Sequence, residues 1–209
     1  MSSRTALMVR GGWEGHFPVE ATDRYAAELR ARDYQVTVSD TLDSYLDADL
    51  LGGTDLIVHC WTMGEISREQ LAGLSAAVRA GTGFAGWHGG IIDSFRAEPG
   101  YHLITGGQFV HHPQGFVDYK VRAASPVPHP LVAGLGEFSV HTELYTVHVD
   151  PSIQVHAVTV GDGASMPVTW TRNWGEGKVF VTTLGHHPPD FEVPETNEMI
   201  IRGLLWATR

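Results

Sequence analysis

Two stretches, Gly86-Trp87-His88-Gly89-Gly90 and Gly185-His186-His187-Pro188-Pro189, each follow directly on an apolar run that reads as a buried strand. Glycine lets a backbone leave a strand sharply, and a strand-end turn presenting imidazole is what a metal or acid–base site at a sheet edge requires. Two such turns in one chain need a sheet whose strand ends lie side by side. They make an enzyme the leading reading.

The surrounding pattern supplies that sheet. Ala6-Leu7-Met8-Val9 is a short apolar run ended by Gly11-Gly12, and residues 19–32 then carry Thr22, Tyr25, Ala26 and Leu29 at helical spacing. Val36 and Val38 mark a second strand, residues 42–50 a weaker helix and residues 55–60 a third strand. Ser67-Arg68-Glu69-Gln70 is a capping box, Leu71, Leu74, Ala77 and Val78 share one face behind it, and Gly81 sits where a left-handed cap is expected. Residues 83–87 form the fourth strand, running into the first histidine turn. Strands separated by helices of this length predict a parallel sheet with helices on both faces.

The second half changes character. Residues 116–121 alternate, 153–160 are β-rich, and 168–172 with 178–184 flank a glycine-containing turn as a hairpin. These are expected as antiparallel additions to the sheet. Residues 194–206 close the chain as a helix with Met199, Ile200, Leu204 and Leu205 buried. Without internal repeat, low-complexity stretch or linker, residues 1–209 are expected to form one domain.

Composition then excludes function classes. A formal charge of −10 repels phosphate backbones, so nucleic acid and anionic membrane are poor partners and a small neutral or cationic ligand fits better. The single cysteine, Cys60, permits neither an internal disulfide nor a paired-cysteine metal or redox motif. The apolar stretch at residues 6–9 is too short for a signal core or a membrane span, so a cytoplasmic location is expected.

Gly86-x-His88-x-Gly90 has the spacing of an elbow in which small residues hold the central side chain up in a cleft. Imidazole replaces Ser or Cys poorly in acyl transfer but serves well as metal ligand or general base. Cys60 lies on another strand without glycine neighbours, which disfavours a cysteine amidase. His88 and His186 are therefore the leading candidates, against a bland alternative of hydrogen-bonding their own turns. His187 should sit at the rim, since adjacent side chains diverge. His16, at the end of the first strand, and His112, before Pro113, divide evenly between site and loop roles. Trp87 and Trp170 either stack on a sugar face or fill the core.

Several ordered motifs resemble the trehalose-utilisation, ThuA-like family. They are Gly83-Phe84-Ala85-Gly86-Trp87-His88-Gly89-Gly90, Gly106-Gly107-Gln108-Phe109 with His112-Pro113, residues 129–135, Thr142-Glu143-Leu144-Tyr145, Pro167-Val168-Thr169-Trp170, and residues 177–186. The resemblance implies a flavodoxin-like three-layer sandwich of the class I glutamine amidotransferase-like type, lacking those enzymes' nucleophilic cysteine. It also implies a role in sugar metabolism, with keto-glycosides as substrates. The doubled His186-His187 and the compact stretch between Gly90 and Gly106 depart from the family pattern and bear on pocket shape.

Glu143 is the one acid inside those motifs. With His88 and His186 it forms the expected metal set, suited to zinc, manganese, iron or nickel. His112 joins these three as a catalytic residue, and His16, Trp87, Trp170 and His187 are the expected substrate contacts. The implied chemistry is proton abstraction next to a metal-polarised carbonyl, giving an isomerase, epimerase or lyase. A non-catalytic sugar-binding or regulatory protein on the same fold is the alternative. Either could be a homo-oligomer.

Overall fold

The computed structural model describes residues 3–161 and 163–209. The first half runs β1 (Arg4–Gly12), α1 (Pro18–Arg30), β2 (Tyr34–Ser39), α2 (Ala48–Gly52), β3 (Leu56–Thr62), α3 (Arg68–Arg79) and β4 (Gly83–Trp87). The short helices α4 (Gly89–Ile92) and α5 (Pro99–Thr105) come next, then β5 (Gly107–His111), β6 (Val117–Ala123), β7 (Phe138–Thr142), β8 (Thr146–Val149) and β9 (Gln154–Gly161). The chain ends with β10 (Ala164–Trp174), β11 (Gly177–Thr182) and α6 (Pro194–Ala207).

Among the described residues, nine strands form one sheet in the order β2-β1-β3-β4-β11-β10-β9-β6-β7, while β5 and β8 make a separate two-stranded ribbon. The first five strands are parallel and the remaining four extend the sheet antiparallel. This is an α/β sandwich with a mixed sheet, in keeping with a flavodoxin-like arrangement. The period of two divides the buried strand residues between two cores. Ala6, Met8, Val58, Ala85 and Phe180 pack under α1 and α6, whereas Leu7, Val9, Ile57, Phe84 and Val179 pack under α3 and α5. Covering both faces explains the unbroken apolar runs in the sequence.

Local signals account for most helix limits. The capping box of α3 is closed by both bonds, Gln70 N to Ser67 Oγ at 3.1 Å and Ser67 N to Gln70 Oε1 at 2.9 Å. The helix expected over 42–50 is broken. A 3-10 turn, Leu42–Leu46, precedes α2 because the Asp47 side chain accepts from Leu50 N at 2.9 Å and starts a new helix. Leu205 is only partly buried, unlike Met199, Ile200 and Leu204.

The order β2-β1-β3 creates the opening in which a site can form. The chain leaves β1 for one edge and returns to its other side, so the connections diverge and open a crevice at the carboxyl ends of β1 and β3. Because β4 and β11 pair in parallel, from Phe84 with Val179 to Trp87 with Thr182, both histidine turns emerge at that same edge.

Candidate metal centre

His88 leaves β4 with φ +47° and ψ −145°, a conformation costly for any residue with a Cβ. Its backbone N–H donates to Thr182 O at 2.7 Å, tying the elbow to the end of β11. Gly89 follows because a Cβ there would lie 2.3 Å from the His16 ring. Of the five non-glycine residues with positive φ among the described residues, Phe17, Met63, His88 and Phe95 flank the segments that follow β1, β3 and β4, and Asp33 lies elsewhere.

Four side chains converge. Glu143, just past β7, places Oε2 3.1 Å from His88 Nε2, 3.2 Å from His186 Nδ1 and 4.0 Å from His16 Nε2. His186 Nδ1 is itself 3.2 Å from His88 Nε2. His16, in the 3-10 turn after β1, is held by Thr62 Oγ1 at 2.8 Å from its Nδ1. One ligand atom from each of the four residues fits within a set no wider than 4.8 Å.

Hydrogen-bond accounting shows what this cluster lacks. His88 Nδ1 lies 2.7 Å from the carbonyl of Thr183, which only accepts, so that nitrogen carries the proton. Its Nε2 faces a carboxylate, which also only accepts, and donors on both sides would require an imidazolium. Burial opposes that charge and pushes His88 below the ordinary histidine range; it pushes His16 down to about 2. Burial tends to raise Glu143, but its interactions with His186 and His88 outweigh this and hold it below the usual carboxylate range. Neutral imidazole and an ionised carboxylate, their lone pairs facing one point, form the donor set of a divalent cation.

A second ring of contacts fixes the four. Asp190 Oδ2 accepts from His186 N at 2.8 Å and from Thr142 Oγ1 at 2.6 Å, joining the second turn to the residue before Glu143. Tyr119 donates its hydroxyl to Glu143 O at 3.1 Å, and the Tyr145 ring lies 4.1 Å from that of His88.

The structure therefore brings together His88, Glu143 and His186 and adds His16, which sequence alone places among the substrate contacts. His112 stands at the mouth, its side chain 33% exposed and its Nε2 3.7 Å from Glu143 Oε1. His187 lies at the rim, 3.0 Å from Asp190 Oδ1. Trp87 and Trp170 require correction as sugar platforms. They are 1% and 0% exposed, sit in the two opposite cores, and Trp170 Nε1 donates to Thr105 O, so neither offers a ring face. Cys60 is buried, and burial pushes its thiol up to about 12, which makes it inert.

The family comparison rests on nearly the whole sequence: the ThuA family, described as trehalose utilisation, matches residues 5–207. The chain belongs to the ThuA family. A ThuA-like protein of Bacteroides uniformis superposes with a TM-score of 0.82 at 15% identity, covering 98% of this chain and 91% of that one. One of Parabacteroides merdae gives 0.80 at 17%, covering 99% and 90%. A β-galactosidase of Rahnella sp. R3 gives 0.66 at 16%, covering 99% of this chain but 31% of the galactosidase. At such identities these likenesses establish the fold alone. No curated protein sequence matches. No helix among the described residues is long and apolar enough to cross a membrane.

Proposed function

We propose that this ThuA protein is a divalent-metal-dependent enzyme acting on a keto-glycoside of the trehalose type, by removing a proton from the carbon beside the carbonyl. The observation that carries this reading is His88. It is a buried imidazole whose Nδ1 is committed to the Thr183 carbonyl and whose Nε2 faces Glu143 Oε2 at 3.1 Å, within a cluster that includes His16 and His186.

His16, His88, Glu143 and His186 would hold the metal, with zinc, manganese, iron or nickel all compatible with this donor set. When bound, the metal supplies Lewis acidity that polarises a carbonyl and stabilises negative charge on its oxygen. His112 is the proposed base, since it stands outside the four and is solvent-accessible. Its Nδ1 lies 2.6 Å from the Pro113 carbonyl and therefore carries the proton, leaving Nε2 free to accept one. Glu143 Oε1, 3.7 Å away, stabilises the imidazolium so formed. The proton then returns to the former carbonyl carbon in an isomerisation, to the opposite face of the same carbon in an epimerisation, or goes to the departing glycosidic oxygen in an elimination. A histidine on the elbow and an inert Cys60 set this site apart from a cysteine amidotransferase.

The test is elemental analysis of the purified protein, followed by chelation, metal re-addition and NMR in deuterated water with keto-trehalose. Metal-dependent loss of the signal from the hydrogen beside the carbonyl is expected. Exchange that persists fully in metal-free protein overturns the reading. Sugar binding without any exchange favours the binding-protein alternative.

A further inference from the structure

Two large aromatic side chains that pack on histidines of the centre remain partly exposed. Trp13 is 49% exposed and Phe116 38% exposed. Trp13 meets His16 edge-on, with ring centroids 4.8 Å apart at 75°. Phe116 meets His186 in the same manner, at 5.0 Å and 72°. Each is thus attached to a different histidine of the cluster.

Both rings are positioned by the fold. The Trp13 backbone donates to Thr62 O at 3.1 Å, beside the hydroxyl that holds His16. Its indole lies across Gly15, where a Cβ would come 2.3 Å from the ring, so the turn is built to seat it. Phe116 leads into β6 and also rests on His187 at 4.8 Å. Partly exposed aromatic rings that pack on a polar centre from two sides are placed to contact a ligand bound there.

Charge narrows the ligand. Among the described residues, the basic groups within 4.0 Å of the Glu143 carboxylate are His16, His88, His112 and His186, with no lysine or arginine. No lysine or arginine there can pair with a phosphate or carboxylate, and a net charge of −10 gives such a ligand no long-range attraction. Aromatic rings instead suit a ligand with apolar C–H faces.

We propose that Trp13 and Phe116 are the two stacking platforms of the substrate site, one for each ring of the trehalose-type glycoside proposed above. One ring rests on each platform, with the reacting carbonyl between them at the histidine–glutamate cluster. This assignment of the two platforms rests on the substrate and function proposed for the same site. Trp13 and Phe116 take the role that Trp87 and Trp170 cannot fill from the core.

The experiment titrates zinc-loaded protein with trehalose and with methyl α-glucoside, followed by calorimetry and tryptophan fluorescence. Trehalose is expected to bind about tenfold more tightly, and Trp13→Ala or Phe116→Ala each to remove about that factor. Trp13→Phe and Phe116→Tyr should keep the affinity, while Trp13→Phe abolishes the fluorescence change. All four variants should retain zinc. Equal affinity for the two sugars, wild-type binding by Trp13→Ala, or no sugar binding by zinc-loaded protein overturns the platforms while leaving the metal centre standing. Loss of zinc in the alanine variants also overturns them, as it assigns the rings a structural role. Trehalose binding through both rings in a protein that holds no metal would support the platforms and sink the metal-dependent reading.

Discussion

The two histidine turns look alike in sequence and are built in opposite ways. At the first, the histidine itself takes the positive φ of +47° and Thr183 O fixes its ring. At the second, Gly185 takes the positive φ, +99°, and His186 is held by its backbone N–H on Asp190. Strain on the functional residue fixes the direction of one imidazole; an outer carboxylate fixes the path of the chain that carries the other. The centre therefore depends on local conformation at His88 and on a remote partner at His186.

The sharpest way to break this contrast is His88→Ala. Zinc affinity should fall by more than the roughly 10–100-fold typical of losing a supporting residue, measured by competition with a chromogenic chelator. His88→Gly should lose zinc equally yet unfold at a higher temperature than His88→Ala, since glycine removes a strain of about 1–3 kcal/mol. At position 186 that order should reverse, because His186 has no positive φ. Equal stability of the alanine and glycine variants at position 88 would remove the strain argument.

Asp190→Ala tests the other half. It strips the acceptor from His186 N and Thr142 Oγ1, both buried, and each orphaned donor costs about 1–3 kcal/mol. Denaturant melts should show that loss, and zinc affinity should drop about 10–100-fold with His88 untouched. Unchanged affinity would mean that the second turn holds itself.

Acid should weaken the metal-free protein through histidines outside the centre. Burial pushes His59 down to about 3 and, with the nearby His129, His156 down to about 4. As pH falls below about 6.5, the unfolded chain takes up these protons before the native one does. Their contribution is thus complete above that pH and is lost toward pH 3–4. Urea midpoints measured from about pH 7.5 down to about pH 4 should decline, and His156→Gln should flatten the decline.

The smallest effect is expected from Cys60→Ala, with activity within a few-fold of wild type, because the thiol is buried and protonated. Rapid inactivation by a thiol-directed glutamine analogue would reopen an amidotransferase mechanism.

Much of the centre was legible in the chain because its signals are local. The Gly86 to Gly90 spacing dictates an elbow, and the apolar runs before both histidine turns dictate strands. The capping box at Ser67 starts α3 whatever surrounds it. Glu143 came from its motif rather than from spacing. Tryptophan burial was not legible, since a large aromatic beside a strand reads the same whether it faces a core or a cleft.

The sequence by itself determined the alternation of strands and helices, the two turns, and the residue types able to bind a cation, because turn chemistry and hydrophobic period act over a few residues. Tertiary structure alone decided that His16 joins His88, Glu143 and His186. That depends on β1 lying beside β3, which sets Thr62 against the His16 ring, and on Gly89 leaving room for that ring. It also decided that Trp13 and Phe116, rather than Trp87 and Trp170, remain partly exposed at the centre. Residues far apart in the chain meet only through strand order and packing, and no local pattern encodes those.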